Sequence, residues 1–225
     1  MENPYINRMK LPFLILLLLP TYTTLAQSHI DTTLKRQLDS VMLADQQYRS
    51  ILTEMMMSPQ KKDSLAKVLS IPTSQVEARI WALQHVIDSS NVVFIENIFK
   101  QYGYPGKSLV GIPANETAWY VIQHSARIGK YLPMMRKAGK KQELPFRLVA
   151  MMEDRYLGEQ HKEQIYGTQV SCRGLKGTNE CYVWPIKDPE KVNERRKKAG
   201  FETTVEENAK RLGVTYRVVK LSEVD

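Results

Sequence analysis

The sequence predicts a single, mainly α-helical domain with a small antiparallel β-hairpin or three-stranded element near the C-terminus. Three observations carry this. Apolar residues recur at spacings of three and four over residues 29–57 and 73–101. Proline and glycine punctuate the chain at helix-length intervals, at Pro72, Gly103, Pro105, Pro145, Gly158 and Gly200. Two runs that favour strands, 165–170 and 182–186, flank a turn-rich segment. With 225 residues, 43% hydrophobic and 25% charged, the chain suits one globular domain and is not disordered throughout. Two cysteines and four histidines exclude a disulfide-dense scaffold and a Cys-rich zinc module. Only one apolar run approaches membrane length, which excludes a polytopic membrane protein.

That run lies at the N-terminus. Arg8 and Lys10 precede the apolar stretch 11–19, which Pro20 ends before a small-residue exit. This pattern predicts a signal peptide over residues 1–26, cut after Ala26 with Thr24 at the −3 position. The apolar run is too short for a bilayer core of about 30 Å. The mature domain, 27–225, is then periplasmic or extracellular. Outside the cytosol Cys172 and Cys181 can oxidise. They lie nine apart and would clip the hairpin, a gain of about 2–3 kcal/mol for so short a loop. A reactive dithiol usually shows C-x-x-C spacing, which this pair lacks.

Along the mature chain, residues 29–57 read as a helix with Leu34, Leu38, Val41, Tyr48, Leu52 and Met55 on one stripe. Asp45 falls on the same stripe. A carboxylate on a core face needs a partner or costs several kcal/mol, and Arg49, one turn on, is placed to supply it. A short helix over roughly 63–69 ends before Pro72. Residues 73–101 give more helix, with a break at 88–90 and a core face of Ile80, Leu83, Ile87, Phe94 and Ile98. Gly103 and Pro105 stop it. A loop or short extended piece follows at 107–113, then helices over 115–129 and 131–138. Pro145 opens a further helix that Gly158 closes. After the hairpin, Asp188 and Pro189 read as N-cap and N1 of a helix reaching residue 199. Thr204 and Glu207 form a capping box for a last helix to residue 212. The β-branched run 214–221 reads as a third strand.

Several motifs now stand together: Asp45-Gln46 with Arg49, and Asn97 with Tyr102-Gly103-Tyr104-Pro105. They continue with Ser108-Leu109-Val110-Gly111, Ala118-Trp119 with Gln123-His124, and Asp154-Arg155. Gln164 with Tyr166-Gly167-Thr168-Gln169 and then Val192-Asn193-Glu194-Arg195-Arg196 complete the set. On these, the stretch from 45 to about 200 resembles a bacterial family known as domain of unknown function 6624. The resemblance implies a bacterial source and no particular reaction. The segment 171–180 and the tail after 212 look like local additions, so the disulfide is not credited to the family.

His124 is the foremost chemical candidate. It borders an apolar face, between Val121 and Ile128, with Gln123 beside it. A histidine there can serve as a general acid or base, or be a hydrogen-bonded structural residue. Asp154 falls in the last turn of its helix, where a carboxylate opposes the dipole. It is expected to pair with a cation, hold a ligand or orient His124, and Arg155 can hold a carboxylate or phosphate bidentately. On the first hairpin strand, alternation puts Tyr166 and Thr168 on one face and Gln169 on the other, with Gly167 leaving room for close approach, a pattern that fits a site wall and a hairpin docked on a helical body alike. The candidate ligand-binding set is thus Asp45, Arg49, Gln123, Arg155, Gln164, Tyr166, Thr168 and Gln169, and the candidate catalytic pair is His124 with Asp154.

Other chemistries drop out. Gly106-Lys107-Ser108 lacks the earlier glycine of a P-loop, and there is no G-x-S-x-G elbow. No two histidines have metal spacing, and His85 with Asp88 is a pair alone. The sequence calls for no metal and no cofactor. The methionine clusters read as core filling. Seven basic residues between Arg127 and Arg147, and more over 187–198, would attract an anionic envelope polymer or membrane surface, or form a solvated face. In an exported chain they do not point to nucleic acid. The functional expectation is an exported protein that binds a small polar or anionic ligand in a cleft near His124 and Asp154. The alternatives are a hydrolase-like enzyme with His124 as base and Asp154 as its partner, and an envelope structural or interaction protein.

Overall fold

The computed structural model describes residues 29–178 and 180–224; the expected signal segment, 1–26, lies outside them. Its helices are α1 (Thr32–Met57), α2 (Pro59–Leu69), α3 (Thr73–Tyr102), α4 (Lys107–Val110), α5 (Thr117–Gln123), α6 (Ile128–Lys140) and α7 (Phe146–Glu159). The hairpin β1 (Val170–Ser171) and β2 (Tyr182–Val183) follows, then α8 (Val192–Lys198) and α9 (Val205–Arg211). The architecture is mainly α with one small antiparallel sheet late in the chain. Among the described residues no helix is long and apolar enough to cross a membrane.

α1 starts where Asp31 accepts hydrogen bonds from the amides of Thr33 and Leu34. Its buried stripe is Leu34, Leu38, Val41, Asp45, Leu52 and Met55. α1 and α3 pack side by side and antiparallel. Leu34, Leu38 and Val41 share a core with Ile95, Ile98 and Phe99, while Leu52 and Met55 share one with Val76 and Ile80. The larger core also takes α5, α6 and α7, through Trp119, Ile122, Met135 and Met152. The Trp119 indole donates to the Leu148 carbonyl at 2.7 Å and ties α5 to α7.

Several boundaries differ from the sequence pattern, each for a local reason. α2 begins at Pro59, with proline at N1. α3 is unbroken at 88–90, where Ser89 and Ser90 donate their hydroxyls to the carbonyls of His85 and Ile87 within the helix. The expected loop at 107–113 holds α4. The helix expected over 115–129 ends at Gln123. There the Ser125 hydroxyl donates to the Ile122 carbonyl and accepts from the Arg127 amide, which closes a turn in place of another helical step. α6 therefore starts at Ile128. Asp188 does not cap; it adopts a φ of 43° ahead of a 3-10 turn, Pro189–Lys191. The Thr204–Glu207 capping box forms as expected.

The hairpin is shorter than the alternation suggests. Val170 pairs with Val183 and Ser171 with Tyr182. The amides of Ile165, Tyr166 and Thr168 are bound by the Asp154 side chain, so they cannot join a ladder. The third strand does not form. Val214 and Val219 are buried in two small clusters beneath the hairpin, and Val224 makes a single bridge to Leu175. Cys172 and Cys181 are disulfide-bonded across the hairpin loop. Replacing both by serine is expected to lower stability by about 2–3 kcal/mol, measured by urea unfolding under oxidising conditions.

Candidate functional site

A polar layer divides the two apolar cores along α1 and α3. On α1 it interrupts the stripe with Asp45 and Arg49; on α3, with Gln84 and Asp88. Arg49 reaches across to Asp88 with both terminal nitrogens, each 2.9 Å from a carboxylate oxygen. This is the bidentate geometry that makes guanidinium–carboxylate pairs strong. Arg49 also donates to the Asp45 carbonyl at 2.9 Å and lies 3.8 Å from the Asp45 side chain. Gln84 donates to Asp88 at 2.8 Å and to the same Asp45 carbonyl at 3.2 Å. So Arg49 is the expected neighbour of Asp45, but its strong partner is Asp88.

The carboxylate of Asp45, only 1% exposed, turns instead toward α5. His124 Nδ1 lies 3.3 Å from both Asp45 oxygens. Gln46 donates to the same carboxylate at 2.6 Å. The other ring nitrogen, Nε2, faces the Gln123 side-chain amide at 3.1 Å. One tautomer satisfies all of these contacts: Nδ1 donates to Asp45, and Nε2 accepts from Gln123. His124 is the C-cap residue of α5, at the break before α6, and its side chain is 16% exposed. The ring is thus reachable from solvent while its orienting carboxylate is not. Tyr120, one turn earlier, has its hydroxyl pKa raised by burial and by Glu116, against the pull of Arg147, with a smaller push from Asp45.

Asp154 sits in a second cluster and corrects the expected pairing with His124. It is fully buried, and its carboxylate accepts from the amides of Ile165, Tyr166 and Thr168 and from the Thr168 hydroxyl. Both oxygens are occupied by one loop, so this side chain folds the loop and does not orient the histidine. No hydrogen bond or ion pair joins the two clusters among the described residues. Buried Gln164 donates to the carbonyls of Gln169 and Trp184 and accepts from the Gln169 amide. The Gln169 side chain donates to the Thr168 hydroxyl. Arg195 donates to the Ile165 carbonyl, and Arg196, 1% exposed, to those of Tyr166 and Thr203 while covering the Phe201 ring. Gly167 is not a point of ligand approach: Val205 and Ile186 already occupy the space above it. Arg155 is half exposed and lies near Glu159, not Asp154.

Burial pushes the Asp154 carboxyl from 3.8 up to about 6, against the pull of the Ile165, Tyr166 and Thr168 donors. Between those values the folded chain holds a proton that the unfolded chain has released. This group therefore adds stability as pH falls from about 6 toward 3.8, and that contribution is lost as pH rises through 6. The Asp154 carboxyl carbon is expected to titrate near pH 6 by NMR; a midpoint below 4 would show that the hydrogen bonds outweigh burial.

The structure thus brings together Asp45, Arg49, Gln123 and His124, and separately Asp154, Gln164, Thr168 and Gln169. Gln46, Gln84 and Asp88 complete the first group; Gln46 stands in the Asp45-Gln46 motif and Asp88 beside His85 in the sequence, while Gln84 belongs to no motif. Gln84 had a signal: it continues the buried face of α3 from Ile80 toward Asn91 and Ile95. His85 stacks loosely on Trp81 while Asp88 is held by Arg49, so the two do not act as a pair. Comparison with curated proteins and with solved structures finds no match. A family model does match, over residues 33–220, which reaches beyond the 45–200 stretch on both sides. The chain therefore belongs to the family of unknown function DUF6624.

Proposed function

We propose that the chain binds a small polar ligand at the helix break beside His124, and that His124 exchanges a proton with it. One observation carries this reading: a buried carboxylate, Asp45, fixes one nitrogen of a solvent-reachable histidine. That arrangement sets the tautomer and leaves Nε2 as the free base once Gln123 turns to the ligand. The Arg49–Asp88–Gln84 network supports it by clamping the Asp45 backbone from a second helix. A misplaced base loses much of its rate advantage, so such bracing has a use beyond folding. Export remains part of the proposal, supported by the N-terminal pattern and suited to the Cys172–Cys181 disulfide.

The test is a thermal-shift screen of a panel of small polar metabolites, carboxylates, amides and sugars on wild type and His124→Gln. At least one compound should stabilise wild type and fail to stabilise the variant. NMR then follows whether wild type converts it, and Asp45→Asn should slow conversion by about 10²-fold or more. A panel with no hit, or hits shared equally by the variant, would overturn the reading.

A further inference from the structure

A second site lies apart from the polar layer, between residues 102–109 and α6. It is a depression of about 650 Å³, within the size range of small-molecule sites. Its apolar wall is made by Tyr102, Leu109, Pro133 and Met134, and Lys137 and Lys141 line it as well. Neither lysine has an ion-pair partner among the described residues. The one carboxylate in the wall, Glu143, is already engaged: its oxygens accept from the Ser108 amide at 2.8 Å and hydroxyl at 2.7 Å. It reaches them over Gly106, where a Cβ would sit 2.3 Å from the Glu143 Oε2. Tyr104, also in the wall, spends its hydroxyl on the Asn115 carbonyl at 2.6 Å. The depression thus combines an apolar surface with two exposed ammonium groups, against one carboxylate whose oxygens are turned to Ser108.

We infer that this depression binds an amphipathic carboxylate, with its hydrocarbon body on Tyr102, Leu109, Pro133 and Met134 and its head group on Lys137 and Lys141. A bare inorganic anion would leave the apolar wall unused, and a neutral lipid would leave both ammonium groups without a partner. The same walls explain residues that the His124 site does not use, among them Tyr102, Gly103, Tyr104 and Ser108.

The test is calorimetric titration of the purified chain with decanoate and with decanol at low ionic strength. Decanoate should bind saturably at one site and more tightly than decanol. In Lys137→Glu/Lys141→Glu its affinity should fall at least about tenfold. Both lysines are exposed, so the fold should persist; if the thermal midpoint falls, Lys137→Gln/Lys141→Gln replaces that variant. His124→Gln should keep wild-type decanoate affinity, which separates this site from the one proposed above. No saturable decanoate binding, equal affinity for decanol, or affinity indifferent to both lysine variants would overturn the inference.

Discussion

Asp154→Ala is expected to destabilise the chain by about 4 kcal/mol and to lower the thermal midpoint by roughly 8–16 °C. The carboxylate is fully buried and accepts from three backbone amides and one hydroxyl within 165–168. Removing it leaves those donors unsatisfied where water does not reach, and each unsatisfied buried group costs about 1–3 kcal/mol. Partial relaxation of the loop brings the total below the sum. Asp154→Asn should recover only part of the loss, because its amide nitrogen would face donors. Urea unfolding at pH 7 measures both. His124→Gln, whose ring is partly exposed, should stay within about 1 kcal/mol of wild type. A loss below about 1 kcal/mol for Asp154→Ala would mean that the loop does not depend on this side chain, and would reopen a ligand role for Asp154.

Gly167→Ala should cost about 2–4 kcal/mol in the same assay. Gly167 has a φ of 67°, and an added Cβ would lie 2.5 Å from Val205 Cγ2 and 2.9 Å from Ile186 Cδ1. A side chain in that conformation costs about 1 kcal/mol by itself, and overpacking adds about 1–3 kcal/mol. Val205→Ala removes the nearer atom. The double variant should therefore be less destabilised than the sum of the single ones, by about 1 kcal/mol. Strict additivity would place the strain in the backbone or against Ile186 rather than against Val205. Together these two outcomes would assign the Asp154 and Tyr166–Gln169 motif to folding, as the anchor that docks the C-terminal hairpin on α7.

Tyr166, Gly167, Thr168 and Gln169 look like a site wall because polar side chains beside a permissive glycine serve ligand binding and loop docking alike. Only the partners separate the two uses. Here the Thr168 hydroxyl donates to Asp154, the Gln169 side chain donates to that hydroxyl and its backbone amide to Gln164, and the space above Gly167 is filled. Asp154 stands out in the sequence as a carboxylate toward a helix C-terminus; in the structure it is burial that raises its pKa. What holds it there is a set of backbone amides rather than a cation.

The sequence by itself determined what rests on contacts within a few residues. The stripe of α1, the Thr204–Glu207 capping box and the disulfide-clipped hairpin follow from periodicity, cap chemistry and cysteine spacing. So does the anomaly of Asp45, a charge on a buried stripe. Tertiary structure decided who answers that charge. Arg49, four residues on, is the local candidate, yet the bidentate partner of Arg49 is Asp88, 39 residues away, and Asp45 itself meets His124 across 79 residues. The helix break that presents His124 depends on Ser125 competing for backbone groups, a choice that helical periodicity does not encode. Local hydrogen bonds repeat with the period of the chain and can be read from it. A contact between distant helices depends on register and packing, and these are fixed only when the apolar cores on either side of the polar layer close together.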